Sequence, residues 1–163
     1  EQLWEPMGME HDAYWLIDGE GMEMALGGLN ATLRDFAKIG TLYLHKGFMN
    51  GQQIVPEDWV RVSTQADAPH LQPGVSGYFG YGYQWWLPPG DDGEFMALGV
   101  YNQNVYVNPS TNTVIAKLSA NHRYNDASYH PSHDEMGLAM YRAIVSQFVV
   151  EENMEVEQVV VQE

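Results

Sequence analysis

Seven serines, six histidines and no cysteine bound the covalent chemistry open to this 163-residue chain. Without a thiol there is no cysteine nucleophile, no disulfide framework and no thiolate metal site. A serine becomes a nucleophile when a neighbouring base takes its proton. Two arrangements that supply this are a Gly-x-Ser-x-Gly elbow and a serine with lysine three residues on. The chain has no such elbow, and none of Ser63, Ser76, Ser110, Ser119, Ser128, Ser132 or Ser146 has lysine at that position. No catalytic serine is named within it. Tyr106-Val107-Asn108 matches Tyr-x-Asn by spelling but closes an apolar run before Pro109, and so short a match carries little information.

His130-x-x-His133 with Asp134 could supply metal ligands, because positions i and i+3 converge at a helix start. The plainer reading is that Ser132 caps the helix while the histidines stay on a solvated loop and the acids favour the helix dipole. No metal is assigned. Trp85 and Trp86 alternate faces if they lie on a strand, so one packs in the core and the other could line a pocket. Gly99 interrupts the apolar run Phe95–Tyr101 in "FMALGVYNQNVYVNP". A glycine inside a strand marks a bulge or a close approach by a ligand or another backbone. If a ligand, the chemistry is oxyanion binding by a backbone N–H. Both readings stand on the residues alone.

The elements that must position these residues are legible in outline. "ATLRDFAKIGTLYLHKG" reads as a helix from Thr32 to His45, with Thr32 and Asp35 resembling a capping box and Lys46-Gly47 as the stop. The preceding "EQLWEPMGMEHDAYWLIDGEG" reads as a helix end followed by loop. Asn50-Gly51 is a turn, Pro56 opens a short helix through Val62, and 65–76 is loop. "GYGYQWWL" then reads as one strand, "PPGDDGE" as a turn, and Phe95–Tyr101, Asn104–Val107 and Thr113–Ser119 as further strands of an antiparallel meander. Ser132 and Glu135 form a second capping box, opening a helix from Asp134 to Val149. The fold class is α+β, with helices on an antiparallel sheet. Residues 1–150 hold the folded part of the chain, and the acidic tail 151–163 is expected to be disordered.

Twenty-two acidic against seven basic side chains give a formal charge of −15, which opposes nucleic-acid binding and docking to anionic membranes. No apolar run in the segment is long enough for membrane insertion.

Five segments in order, "LWEPMGMEHDAYW", "GGLNATLRDFAKIGTLYL", "NGQQIVPEDWV", "GYGYQWW" and "ALGVYNQNVYVNP" with "TVIAKLSAN", resemble serine hydrolases of the β-lactamase/penicillin-binding class. The nearest resemblance is to the class C-like esterases and 6-aminohexanoate-dimer hydrolases, over about Glu1–Asn121. The resemblance implies a β-lactamase/transpeptidase-like fold of which this is the C-terminal half. It also implies a Ser-x-x-Lys nucleophile and base and a Tyr-x-Asn tyrosine upstream of "LWEPMGM", in an N-terminal half that is the segment's first partner. Such enzymes cleave amides or esters through an acyl-enzyme, with no cofactor. The family's Lys-Thr-Gly motif falls on Ala97-Leu98-Gly99, where only the glycine is kept, and its second oxyanion donor falls on the Val100 backbone N–H. Ala97 and Leu98 cannot hold a substrate carboxylate as Lys and Thr do. That favours an amidase or esterase on a less acidic small-molecule substrate over a β-lactamase.

Asn102 stands where relatives have glycine, and asparagine tolerates the left-handed turn needed there. His130 is the candidate for the histidine that lies near the site in the nylon-oligomer hydrolases. Tyr101, Trp85 and Trp86 are candidates for the substrate pocket. The segment alone is expected to be inactive, and the compartment is left open. The alternative reading is a β-lactamase-like binding or sensor protein without catalysis.

Overall fold

The computed structural model describes residues 2–24 and 27–160, with side chains through 148. In chain order the elements are β1 (Tyr14–Trp15), β2 (Leu29–Asn30), α1 (Leu33–Leu44), β3 (Phe48–Met49), β4 (Gln52–Gln53) and α2 (Glu57–Ser63). They continue with β5 (Gly80–Tyr81), β6 (Trp86–Leu87), β7 (Phe95–Gly99), β8 (Gln103–Asn108), β9 (Thr113–Lys117) and α3 (His133–Val160). β5 to β9 form one antiparallel sheet in sequence order. The sheet carries α1 on one face and α3 on the other. α3 starts one residue before the expected Asp134 and runs to Val160, past the expected end at Val149, so the backbone of 151–160 is helical; of the tail expected to be disordered, 161–163 lie outside the described residues.

α1 forms where its local chemistry says it should. The Thr32 hydroxyl accepts the Asp35 N–H at 3.2 Å, satisfying a free donor of the first turn, and the hydroxyl in turn donates to Asp35 Oδ2 at 2.7 Å. Asp35 is fully buried and also accepts the Glu10 N–H at 2.8 Å. Burial pushes its carboxyl up, but the Glu10 and Thr32 hydrogen bonds and Lys38, 3.7 Å away, outweigh that and hold it below the ordinary 3.8. A carboxylate depressed on folding contributes stability above its unfolded value and loses it as pH falls through the folded value. Asp35→Asn is therefore expected to flatten the acid limb of a Tm-against-pH curve below about pH 4.

Helix-on-sheet contact is set by Gly40, whose missing side chain lets α1 rest on the sheet. A Cβ there would lie 2.7 Å from Val114 Cγ1 and 2.8 Å from Val105 Cγ1. Gly40→Ala is expected to destabilise by about 1–3 kcal/mol through overpacking, read as a fall in the urea midpoint. Around that contact Phe36, Tyr43 and Leu44 cover Trp85, Leu87, Phe95, Val105 and Val107. On the opposite face Leu138, Tyr141 and Val145 of α3 cover Met96 and Tyr106. α3 begins with the expected box: the Ser132 N–H donates to Glu135 Oε2 at 2.6 Å, and the Glu135 N–H to Ser132 Oγ at 3.2 Å.

Several sequence expectations need correction. "GYGYQWWL" is two strands, because Gln84 adopts a left-handed φ of 71° and turns β5 back onto β6 as a hairpin. The strand expected to reach Tyr101 stops at Gly99, where a tight turn begins. β8 runs one residue further at each end than expected, and β9 stops at Lys117 rather than Ser119. The opening residues carry the bonding of a helix C-terminus, as expected, with Met7 N–H on Leu3 O at 3.1 Å, Gly8 N–H on Glu5 O at 2.9 Å and Met9 N–H on Trp4 O at 3.4 Å around a left-handed Gly8, but β1 forms within the stretch expected to be loop. Pro56 stands just before α2 rather than inside it.

Candidate active site

β7 and β8 pair without interruption from Phe95↔Val107 to Gly99↔Gln103. Gly99 is therefore not a bulge. Its backbone is ordinarily extended at φ −109°, ψ 158°, so no unusual conformation calls for glycine. The close approach is by another backbone: a Cβ at Gly99 would lie 3.3 Å from the Gln103 carbonyl oxygen.

Beyond Gly99 the loop Val100-Tyr101-Asn102 reverses the chain. Tyr101 sits at φ 64°, ψ 19° and Asn102 at φ 61°. Consecutive left-handed non-glycine residues are uncommon and persist where the surroundings hold them. The turn anticipated from asparagine at 102 is present. It leaves Val100 and Tyr101 open to solvent, 56% and 47% exposed. The Tyr101 ring meets Tyr124 edge-on at 5.3 Å between centroids, so the turn is flanked by an aromatic pair. Backbone N–H groups at such an exposed turn can stabilise a developing negative charge on a molecule docked against it.

The other candidates separate by face. Trp86 lies opposite Met96 across the β6–β7 pair, with Tyr81 stacked edge-on at 5.0 Å, and is 37% exposed. Trp85 turns to the α1 face and is buried between Tyr43, at 4.6 Å, and Phe95, at 4.9 Å. The two tryptophans thus divide between core and open surface as strand alternation requires. His130 is exposed in the loop before α3 and lies four residues ahead of Asp134, which does reach the turn. The positive field of His130 helps lower the Glu135 carboxyl, after the hydrogen bonds from Ser132.

Asp134 hydrogen-bonds Asn102, and the His133 ring stacks on Tyr129 at 4.4 Å. Among the described residues no three His, Asp or Glu side chains come together as a metal site. No described helix is long and apolar enough to cross a membrane. Tyr106 of the Tyr-x-Asn spelling is fully buried, and its hydroxyl is held by Glu94 and Asn108. Burial, reinforced by Glu94, pushes that phenol well above its ordinary value, which makes it a structural donor. An open cleft of about 770 Å³ lies elsewhere, walled by Trp4, Met9, His11, Tyr14 and Thr32, and shares no residue with the turn.

Sequence reasoning missed the polar residues that hold the turn. Asn102 is 4% exposed, and its Nδ2 donates to Asp134 Oδ1 at 3.0 Å. Asn121 Nδ2 donates to Asn102 Oδ1 at 2.7 Å, and Lys117 Nζ to the Asn102 carbonyl at 3.0 Å. These partners lie 15 to 32 residues away in sequence, so no local pattern signals them.

Comparison with known proteins fits this architecture. The family model for beta-lactamase matches residues 1–134. A 6-aminohexanoate-dimer hydrolase of Paenarthrobacter ureafaciens is 30% identical over 123 residues, which is 72% of this chain and 31% of that protein. A solved structure from Bacillus anthracis, assigned as a 6-aminohexanoate-dimer hydrolase, superposes with a TM-score of 0.76 at 33% identity, over 90% of this chain and 37% of its own. A structure from Bacteroides dorei, assigned as a beta-lactamase, shares the fold with a TM-score of 0.52 at 18% identity, over 75% of this chain and 43% of its own. The chain thus spans about a third of the length of the 6-aminohexanoate-dimer hydrolases it matches. It has the β-lactamase/transpeptidase-like fold in part, and it belongs to the beta-lactamase family of hydrolases.

Proposed function

We propose that this chain forms one wall of the active site of a longer serine hydrolase that cleaves amides or esters through an acyl-enzyme. The nucleophilic serine and its lysine base, with the proton-handling tyrosine, belong to an N-terminal half that packs against this segment. The Val100 N–H is one of two donors to the tetrahedral oxyanion, and Gly99 brings the strand up to it. The hydroxyl of the missing serine adds to the substrate carbonyl, its proton passes to the base, and the leaving amine or alcohol takes a proton as the carbonyl re-forms. Water then repeats the sequence on the acyl-enzyme. Tyr101 and Trp86 offer exposed aromatic surface for the substrate, whereas Trp85, buried on the α1 face, does not. His130, in the loop leading to α3, is the candidate for a further polar contact to substrate.

One observation carries the reading: an exposed, tightly held turn directly follows Gly99, where the resemblance puts the Lys-Thr-Gly glycine, within the family-matched residues. Two others support it. Ala97 and Leu98 replace the carboxylate-binding side chains, which favours substrates without a carboxylate beside the scissile bond. A run of exposed apolar side chains, Tyr14 to Ile17 with Met22, and the outer edge of β9 both fit a surface covered by more polypeptide.

The test is to trap the acyl-enzyme. Full-length protein reacted briefly with p-nitrophenyl acetate and quenched in acid is expected to carry the acetyl group on a Ser-x-x-Lys serine upstream of Glu1. An acetyl group on one of this chain's own seven serines, or none on any serine of an intact preparation, overturns the reading. The second outcome would favour the non-catalytic binding protein.

A further inference from the structure

Resting on the reading of Val100 as an oxyanion donor, we infer that Asp134 and Asn102 are a pair of positioning residues that aim the Val100 N–H by locking the turn behind it. The turn needs such a device. Glycine adopts a left-handed φ freely, whereas this chain places Tyr101 and Asn102 there in succession. Left to itself, a turn of two side-chain-bearing residues would relax toward other conformers and take Val100 with it.

What holds it is a set of bonds from three separate segments. Asp134, in the first turn of α3, accepts from Asn102 Nδ2. Asn121, in the loop after β9, donates through its side chain to Asn102 Oδ1 and through its backbone N–H to the Tyr101 carbonyl at 3.3 Å. Lys117, at the end of β9, donates to the Asn102 carbonyl. Both left-handed residues therefore have anchored carbonyls, and Asn102 has both side-chain polar atoms engaged.

Asp134 is the member that ties the turn to a rigid element. Its charge is favoured at a helix N-terminus, and a hydrogen bond to a carboxylate is stronger than one to a neutral acceptor. Two turns along α3, Tyr141 donates to Asn104 Oδ1 at 2.8 Å, binding the same helix to the next inward-facing residue of β8. Burial and the nearby Asp134 charge push the Tyr141 phenol up to about 12, so it stays a neutral donor. A rigid donor matters because small errors in aim at a reacting centre cost rate rather than affinity.

The test is steady-state ester hydrolysis by the full-length protein, with amide exchange as a second readout. Asp134→Ala is expected to lower kcat by about 10- to 100-fold with KM little changed. Asp134→Asn, which keeps the Oδ1 acceptor, is expected to restore most of kcat. Asn102→Ala is expected to match Asp134→Ala, and the double variant to be no worse than either single one. In the same Asp134→Ala protein, exchange at the Asn121 amide, which donates to the Tyr101 carbonyl, is expected to quicken by roughly tenfold while α1 amides stay protected. A kcat for Asp134→Ala equal to wild type, or an Asp134→Asn as impaired as Asp134→Ala, overturns the inference. If Asp134→Ala does not fold, Asn121→Ala is measured in its place with the same expectation. If the wild-type full-length protein shows no hydrolysis, the reading of Val100 has failed. The exchange result then decides the pair alone, and unchanged exchange at the Asn121 amide overturns it.

Discussion

Val100→Pro in the full-length hydrolase is expected to lower kcat by about 10²- to 10³-fold, the loss typical of one oxyanion donor, or about 2.7–4 kcal/mol of transition-state stabilisation. Proline deletes the N–H and little else at this position. The residue before a proline must be extended, and Gly99 already is, with ψ at 158°. The Val100 side chain is more than half exposed, so little packing is lost. Val100→Ala keeps the N–H and is expected to retain near wild-type kcat. A proline variant with full activity at unchanged Tm would remove Val100 from the mechanism.

The largest effect on stability is expected from Arg142. Its guanidinium reaches across from α3 to Glu94, with Nε 3.0 Å from Oε2, and also donates through Nη2 to the Pro89 carbonyl at 2.6 Å. Glu94 has its side chain 2% exposed and accepts further hydrogen bonds from Tyr106 and Asn108. Removing the cation leaves that carboxylate buried beside donors too weak to replace a full charge. Breaking a buried pair in this way costs about 3–5 kcal/mol. Because Arg142 itself is 35% exposed, water can partly compensate, which puts Arg142→Met near the lower end, at about 3 kcal/mol. A fall in the urea midpoint at unchanged slope reads that loss. Glu94→Gln added to Arg142→Met removes the stranded charge and is expected to recover part of the loss. A single variant as stable as wild type would show that the pair contributes nothing net.

The elements read well in the sequence where short-range chemistry decides them. Thr32 with Asp35 and Ser132 with Glu135 announced the starts of α1 and α3, because a cap is satisfied within one turn. β-branched runs announced β8 and β9. The Gly80–Leu87 hairpin was hidden because its reversal falls on Gln84, a residue that rarely takes a left-handed φ. The end of β7 was hidden for the same reason at Tyr101.

The candidate site was legible only through the resemblance. On the residues alone Gly99 stands between a bulge and a close approach by a ligand or backbone; the regular β7–β8 pairing removes the bulge, and the close neighbour is the Gln103 backbone. The groups that stabilise the turn and the helix, Asp134 with Asn102 and Arg142 with Glu94, are 32 and 48 residues apart. Only the folded sheet brings them together.

The proposed oxyanion wall serves a nucleophile outside these 163 residues. The most direct measurement compares hydrolysis of p-nitrophenyl acetate by the purified 163-residue chain with that by the full-length protein. An initial burst followed by steady turnover is expected from the full-length protein, and no rate above background from the chain alone. Burst kinetics at enzyme-like rates from the 163-residue chain would contradict this placement of the nucleophile.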